Sequence, residues 1–250
     1  MVSPVDVSGV AVRVALACAV VALVLPVESP ALPESPIAGP SRDGGALVAK
    51  VVVSTPVRDW PRDGAIVWRA RTRTQWGNGP QWLLVLRAWE DESKRQWLEV
   101  LLPIRPNGAR GWIRRDHVLL EHSPFWIDVS TGRRLVSVYR GGDLIRRFPA
   151  VVGAPSTPTP HGLFALYETI PQFPPGGFLG PWALHLTGFS EVLDDYGGGP
   201  GRVAMHGRDG ASLRDALGTA RSHGCIRIDN RHVQWLARLV PSGTPFSIQA

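Results

Sequence analysis

Short runs of apolar or alternating residues, separated by turn residues, make up most of the chain between Leu47 and Glu121. These runs predict β-strands at 81–89, 97–102 and 111–114, because the side chains of a strand point alternately to its two faces. The turn Arg105-Pro106-Asn107-Gly108 separates the last two. This part of the chain is therefore predicted to be a small all-β module.

The strand pattern continues in the second half of the chain. Residues 135–139, the turn Gly141-Gly142-Asp143 and residues 144–152 predict a β-hairpin, and residues 243–248 predict a closing strand. Residues 170–181 are rich in proline and glycine and lack a regular pattern. Irregular segments of this kind often cover binding sites, so this one is interpreted as a lid.

One short helix interrupts the strands near the C-terminal end. Asn230 is predicted to cap it, and its apolar positions recur with helical spacing. The residues expected to face inward are Val233, Leu236 and Val240. The fold class predicted from these patterns is mainly β.

The N-terminal segment has the pattern of an export signal. Residues Val10 to Val27 are almost entirely apolar, but the uninterrupted run from Val14 to Leu25 is short for a transmembrane helix. Residues 1–31 are therefore predicted to be a signal peptide, or an uncleaved anchor that would attach the protein to a membrane. The proline-rich residues 32–46 are predicted to be an extended linker.

Tryptophan is concentrated in the first predicted module, where seven of the ten lie between Trp60 and Trp112. Aromatic residues on a small β module either fill its core or form a binding face, and the core is favoured.

The chain of 250 residues has 27 Lys+Arg against 21 Asp+Glu, a formal net charge of +6. A basic exported protein is compatible with an anionic envelope polymer, a membrane surface or nucleic acid. No arginine-rich run or basic repeat favours nucleic acid, which is not predicted as a partner.

The two cysteines are Cys18, inside the apolar N-terminal segment, and Cys225. If the segment is removed, one thiol remains and no internal disulfide can form, which marks Cys225 as reactive. A thiolate attacks carbonyl carbon well, but a thiol with an ordinary pKa needs a base. His223 and His206 are the two candidate bases, the second at the end of a short apolar strand.

The segment Ser222-His223-Gly224-Cys225-Ile226-Arg227 also offers other parts of an acyl-transfer site. If it is extended, His223, Cys225 and Arg227 share one face, and Ile226 anchors the strand to the core. The amides around Gly224 and Cys225 could donate to an oxyanion. Arg227 could pair either with a substrate carboxylate or with a structural acid such as Asp229.

A zinc site is an alternative use of the same side chains. His206, His223 and Cys225 have suitable ligand types, with Asp209 or water as the fourth ligand. No CxxC or HExxH spacing supports this alternative, so no metal is predicted.

The second half of the chain resembles the catalytic domain of L,D-transpeptidases of the YkuD type. The resemblance covers about residues 125–248. It is carried by Gly153, Thr157-Pro158-Thr159-Pro160-x-Gly162, Gly180-Pro181-Trp182, and His206-Gly207 followed after fourteen residues by Ser222 to Arg227. Residues 97–102, with Asn107-Gly108 and 111–113, resemble bacterial SH3-like domains. The expected organisation is an SH3-like β-barrel at 47–122 and an L,D-transpeptidase-type β-sandwich at 123–250.

The resemblance implies roles for individual residues. It makes Cys225 the nucleophile, His206 the general base, and His223 with the Gly224 and Cys225 amides the oxyanion site. Gly207 stands where many members have a serine whose carbonyl orients the histidine, and glycine keeps that carbonyl. Ser222 and Arg227 are expected to bind substrate, although Arg227 replaces an asparagine found in some members. His161 stands where threonine is common.

The implied activity is the removal of D-alanine from a peptidoglycan tetrapeptide stem and transfer of the acyl group to an amine, which gives 3-3 cross-links. The thioester chemistry needs no cofactor. β-Lactams, carbapenems especially, are the expected inhibitors, and the cell envelope is the expected location. An L,D-carboxypeptidase, another cysteine hydrolase and a non-catalytic wall-binding protein remain alternatives at this point.

Overall fold

The computed structural model describes residues 37–173, 177–195 and 198–250. Within these ranges, no helix is long and apolar enough to cross a membrane. The predicted signal segment at 1–31 lies outside the described residues, as does most of the first half of the predicted linker. The described part is mainly β, as the sequence predicted.

The residues from Ala46 to Ser123, called the N-terminal module below, form a seven-stranded sheet. Its strands are β1 (Ala46–Val51), β2 (Thr55–Arg58), β3 (Ile66–Ala70), β4 (Trp82–Glu90), β5 (Gln96–Leu101), β6 (Arg110–Arg114) and β7 (Val118–Ser123). Their order in the sheet is β3-β2-β6-β5-β4-β1-β7. Strand β3 therefore lies at one edge. The SH3-like assignment of 47–122 stays a prediction.

The residues from Phe125 to Gln249, called the C-terminal module, form an eight-stranded sheet and a two-stranded parallel sheet. The larger sheet has the order β10-β9-β8-β17-β12-β13-β14-β16, and the smaller one pairs β11 with β15. The strands are β8 (Phe125–Ser130), β9 (Leu135–Arg140), β10 (Asp143–Pro149), β11 (Val152–Gly153), β12 (Gly162–Pro171), β13 (Trp182–Phe189), β14 (Arg202–His206), β15 (Ala220–Ser222), β16 (Ile226–Arg227) and β17 (Pro245–Gln249). The helix α1 spans Asn230–Leu239, and short 3₁₀-helices span Arg115–His117 and Gly210–Arg214.

Each module has its own hydrophobic core, and a small third cluster joins them. The core of the N-terminal sheet includes Val57, Val100 and Ile113. The joining cluster packs Leu84 of β4 against Ala165 of β12. The two sheets are therefore held together by apolar packing as well as by the polar contacts described below.

The predicted strands and helix agree with the structure, apart from their ends. The predicted hairpin strand at 144–152 ends at Pro149, and Val152 begins β11, which pairs with β15 instead. Helix α1 buries Val233 and Leu236 as predicted. Its cap is Asp229, not Asn230 as predicted, because the Asp229 side chain accepts the Arg231 N–H at 3.0 Å.

The tryptophans of the N-terminal module divide between the two interpretations. Trp97 and Trp112 are buried in the core, whereas Trp76 is 40% exposed. Trp76 belongs to the loop between β3 and β4 that reaches the C-terminal module, where its ring lies 5.3 Å from the ring of His185. The prediction of a core role is therefore confirmed for two of these residues and wrong for Trp76.

Candidate active site

Two short parallel strands bring the predicted histidine and cysteine to neighbouring positions. Strands β14 and β16 pair with Met205 opposite Ile226 and His206 opposite Arg227. Met205 and Ile226 are fully buried in the core. Because side chains alternate along a strand, His206 lies on the other face of β14, and Cys225 is the residue just before β16.

The ring of His206 is fixed by the residue that follows it. His206 is 1% exposed, and its Nδ1 lies 2.7 Å from the Gly207 carbonyl oxygen. A carbonyl only accepts, so Nδ1 carries the hydrogen and Nε2 is left with a lone pair. Burial lowers the pKa of His206 to about 4, the Gly207 carbonyl opposes this, and the nearby Arg227 charge adds to it. His206 is therefore a neutral imidazole at pH 7.

Glycine at 207 is required by the packing of this chain. A Cβ there would lie 2.3 Å from Asn230 Oδ1 and 2.8 Å from the Pro181 ring. Asn230 holds this place because its side chain accepts the Arg208 N–H at 2.7 Å and donates to the Arg208 carbonyl at 2.9 Å. Asn230 thus supports the His206-Gly207 segment instead of capping α1.

Cys225 is a free cysteine that is partly exposed. It lies at a small cavity whose other lining residues are Ser190, Leu193, Gly201, Arg202, Val203 and His223. Burial raises the pKa of the Cys225 thiol, while the Ala204 backbone and the Arg227 charge oppose the rise. The thiol is therefore protonated at pH 7 and needs a base before it can attack.

The loop before Cys225 is held by hydrogen bonds inside the module. The Ser222 hydroxyl donates to the Cys225 carbonyl at 2.5 Å and accepts the Gly224 N–H at 3.2 Å. Thr159 donates to the Gly224 carbonyl at 2.9 Å, and Gly224 has a φ of 113°, which favours glycine. The Ser222 hydroxyl is thus engaged within the loop, and its predicted contact with substrate stays a prediction.

The hydrogen bond from the Gly224 N–H to the Ser222 hydroxyl also concerns the predicted oxyanion site. The Gly224 amide points to Ser222 in this structure, so it is not directed at the position beside Cys225. The Cys225 amide and the exposed His223, which also lines the cavity, are the better candidates. Their roles stay predictions.

Arg227 pairs with an acid that the sequence did not single out. Its side chain is 3% exposed and donates to Asp215 at 2.6 Å, whereas the named alternative, Asp229, caps α1. The guanidinium also lies 4.8 Å from the centre of the Phe178 ring. A structural carboxylate therefore engages Arg227 in this structure, and its predicted binding of a substrate carboxylate is untested.

Phe178 belongs to the segment predicted to be a lid. Its ring centre lies 6.1 Å from that of His206, so the described part of this segment lies close to the His206 ring. Residues 174–176 of the segment lie outside the described residues.

The loop that lines the Cys225 cavity is held by the N-terminal module. Arg105 donates to the carbonyls of Ser190 at 2.6 Å, Leu193 at 3.1 Å and Pro200 at 3.2 Å. Asn107 accepts the Phe189 N–H at 2.8 Å and donates to its carbonyl at 2.8 Å. Neither residue was predicted from the sequence to contribute to the site. Both belong to the predicted turn at 105–108, but the sequence of a turn does not show which loop it will contact.

The described residues do not include a cluster with the geometry of a zinc site. No group of three or more His, Cys, Asp or Glu side chains there is arranged to hold a metal ion, and this includes His206, His223 and Cys225.

Comparison with known proteins places these residues in a family. The model of the YkuD L,D-transpeptidase catalytic domain matches residues 124–248. Among curated proteins, the YkuD proteins of Bacillus licheniformis and Bacillus subtilis are 36% and 32% identical to this chain over 125 residues. Each match covers 50% of this chain and 66% of the relative, just under two thirds of its length.

Solved structures give a weaker likeness. The structure of L,D-transpeptidase 3 from Mycobacterium tuberculosis in complex with a faropenem-derived adduct is 17% identical. The match covers 88% of this chain and 98% of that one, with a TM-score of 0.43.

Proposed function

This chain belongs to the YkuD family of L,D-transpeptidase catalytic domains, and we propose that it cross-links peptidoglycan stems through a thioester on Cys225. The observation that supports the proposal is the parallel pairing of β14, which ends at His206, with β16, which follows Cys225 directly. The Gly207 carbonyl fixes the imidazole tautomer in which Nε2 can accept a proton. A thiol and a neutral base are the parts that acyl transfer needs.

The first step is acylation of Cys225. His206 Nε2 takes the thiol proton as Sγ attacks the carbonyl carbon of the peptide bond that precedes the terminal D-alanine of a tetrapeptide stem. The C–N bond then breaks, and the D-alanine amine leaves with the proton held by His206. The products are a thioester and free D-alanine, so the proton and electron pairs balance.

The second step transfers the acyl group. An acceptor amine from another stem attacks the thioester carbonyl, gives its proton to His206, and forms the new amide of a 3-3 cross-link. The departing sulfur takes the proton back as the C–S bond breaks. If water attacks instead, the product is a carboxylic acid and the enzyme is an L,D-carboxypeptidase.

The oxyanion formed in both steps needs a donor. The Cys225 N–H is the backbone candidate, because the Gly224 N–H already donates to the Ser222 hydroxyl. His223, which lines the same cavity, is the side-chain candidate. Removing one oxyanion donor typically lowers kcat by about 10²–10³-fold.

The site of action proposed for this activity is the cell envelope, outside the cytoplasm, where peptidoglycan stems occur. The predicted export signal agrees with this location. The same thiol would open β-lactam rings to give a stable acyl-enzyme, so carbapenems are the proposed inhibitors.

Product analysis with a purified tetrapeptide stem tests the proposal. With a diamino-acid acceptor present, we expect free D-alanine together with a cross-linked dimer. Release of D-alanine with a tripeptide acid as the sole product would assign a carboxypeptidase. A Cys225→Ala variant that still forms the dimer would overturn the proposal.

A further inference from the structure

A groove on the N-terminal module, outside the Cys225 site, is lined by three arginines. It has a volume of about 960 Å³ and follows the edge strand β3 and the loop after it. Arg69, Arg71 and Arg73 all line it and are exposed. The three arginines lie within five consecutive residues, 69–73, and all of them line the same groove.

The arginine groove has no opposite charge of its own. None of the described residues that line it is acidic. Within the described ranges, none of the three arginines forms a salt bridge. Arg73 does donate to the Asn78 carbonyl at 3.0 Å. Planar guanidinium groups bind carboxylate and phosphate oxygens in pairs of parallel hydrogen bonds, so a row of arginines without a salt bridge favours an anionic ligand.

A buried amide in the groove independently indicates a ligand. Gln81 lines the groove and is 2% exposed, yet its Nε2 has no hydrogen-bond partner among the described residues. The backbone of Gln81 is fixed, because its N–H donates to the Thr72 carbonyl at 3.0 Å and its carbonyl accepts the Val51 N–H at 2.9 Å. Buried donors are almost always satisfied by protein, water or ligand atoms, so this N–H is open to a water or ligand oxygen that enters the groove.

The other lining residues fit a sugar polymer and connect the groove to the active site. Trp68 offers a partly exposed indole ring to the groove, and flat aromatic faces pack well against the apolar faces of sugar rings. Tyr167, at the other side, lies 4.6 Å from the Arg202 guanidinium. Arg202 lines the Cys225 cavity, so one chain of contacts links the two sites.

We propose that the arginine groove binds an anionic wall polysaccharide, with its carboxylate or phosphate groups on the three arginines and one oxygen on Gln81. The choice of a wall polymer rests on the proposed function. Bound there, the polymer would bring its stems to the Cys225 cavity through the Tyr167 and Arg202 side. The N-terminal module would then select polymeric substrate, while the C-terminal module performs the chemistry.

Binding to defined polymers tests the proposal with the full chain. The probes are fluorescent polygalacturonate for carboxylate groups, poly(glycerol phosphate) for phosphate groups, dextran as the neutral polymer and a single-stranded DNA oligonucleotide. We expect one of the two anionic polymers to bind, dextran and DNA to bind at least about tenfold more weakly, and affinity to fall as salt rises. Tighter binding to DNA than to either polysaccharide would overturn the proposal.

Matched variants separate the groove from overall charge. The triple variant R69A/R71A/R73A is expected to weaken binding by about tenfold or more, since each charged hydrogen bond contributes substantially. The control R133A/R231A/R238A removes the same number of exposed positive charges elsewhere and should bind as the unchanged protein does. Equal losses in the two triples would contradict a specific groove.

Two further variants test polymer binding without removing a charge from the groove and without the Cys225 thiol. Gln81→Leu removes the orphan donor at similar volume and should weaken binding by about threefold. Cys225→Ala should bind the polymer normally. Binding without thioester formation would therefore contradict the proposed function alone, and thioester formation without binding would contradict the groove alone.

Discussion

A buried arginine, Arg227, and a half-buried one, Arg202, mark two regions of this molecule and are stabilised in different ways. Arg227, on the face proposed to be catalytic, is neutralised by Asp215 at 2.6 Å within its own module. Arg202, at the junction of the modules, has no salt bridge to a described carboxylate. Its guanidinium lies 5.1 Å from the Trp76 ring, 4.6 Å from Tyr167 and 4.3 Å from Phe189.

The partners of Arg202 come from both modules. It donates to the Leu186 carbonyl of the C-terminal module at 2.9 Å and to the Pro103 carbonyl of the N-terminal module at 3.1 Å. Burial lowers the pKa of Arg202 to about 10, because the charged guanidinium loses its hydration and forms no salt bridge with a described carboxylate. The Arg227 charge is therefore neutralised within the C-terminal module. At the junction, the Arg202 guanidinium contacts aromatic rings and backbone carbonyls of both modules and so helps to hold them together.

The largest expected effect is on the catalytic face. Arg227→Met should lower the free energy of unfolding by about 4 kcal/mol, because removing one partner of a buried pair leaves the other charge uncompensated. Urea unfolding at pH 7 measures it. The double variant R227M/D215N should recover part of the loss, and no recovery would mean that the pair is not what stabilises this region.

Each region also contains a buried histidine whose pKa is lowered to about 4, His206 beside Arg227 and His185 beside Arg202, with burial as the main cause in both. In the unfolded chain a histidine has a pKa of about 6.5. Between pH 6.5 and 4 the unfolded state therefore binds more protons, so stability is full above about 6.5 and is lost as pH falls. Each histidine should contribute a loss of roughly 3 kcal/mol across this window.

Urea unfolding at several pH values checks this acid sensitivity. His185→Gln should remove about half of the slope between pH 6.5 and 4, and His206→Gln should remove a similar share. A slope that neither variant changes would assign the acid sensitivity to other groups. The acid limb of kcat/KM should also lie near pH 4, and a limb near 6.5 would contradict a buried neutral base.

A smaller effect is expected at the junction. Arg202→Met keeps the aliphatic stem and loses the hydrogen bonds and ring contacts, so the free energy of unfolding should fall by about 2 kcal/mol. A double-mutant cycle with Trp76→Ala isolates the cross-module contact, expected at about 1 kcal/mol. If Arg202→Met costs more than Arg227→Met, the comparison between the two regions is wrong.

The smallest effect concerns the loop that lines the Cys225 cavity. Arg105→Ala removes three hydrogen bonds from the N-terminal module to this loop and should lower kcat/KM about threefold. Steady-state kinetics with a free stem peptide measures it. Asp194→Ala is the matched control, because Asp194 is fully exposed at 3.7 Å from Arg105 and should leave kcat/KM unchanged.

The same contrast explains which parts of the molecule could be predicted from the sequence. Alternation predicted the β-rich fold, because it reports local burial. The apolar strand ending at His206 was expected to lie beside the Cys225 segment, and β14 does pair with β16, which follows Cys225. The Asp215 partner of Arg227 could not be predicted, since it depends on how a loop and a 3₁₀-helix fold back on the strand. The contacts of Arg105 depend in the same way on the docking of two modules.

The predicted helix cap failed for a local reason. Asn230 looked like a helix cap, but the next residue upstream, Asp229, takes that role and frees Asn230 to hold Arg208. The alternation of Arg69, Arg71 and Arg73 was visible in the sequence, yet only the edge position of β3 and the orphan amide of Gln81 gave it a meaning.

The rate at which Cys225 is acylated tests the central claim most directly. Intact-mass measurements over time with a tetrapeptide stem follow the thioester in the unchanged protein, in His206→Gln and in His223→Gln. If His206 is the base, its variant should form the adduct about 10²–10⁴-fold more slowly and be the slower of the two. A normal rate in His206→Gln, together with a large loss in His223→Gln, would contradict the account.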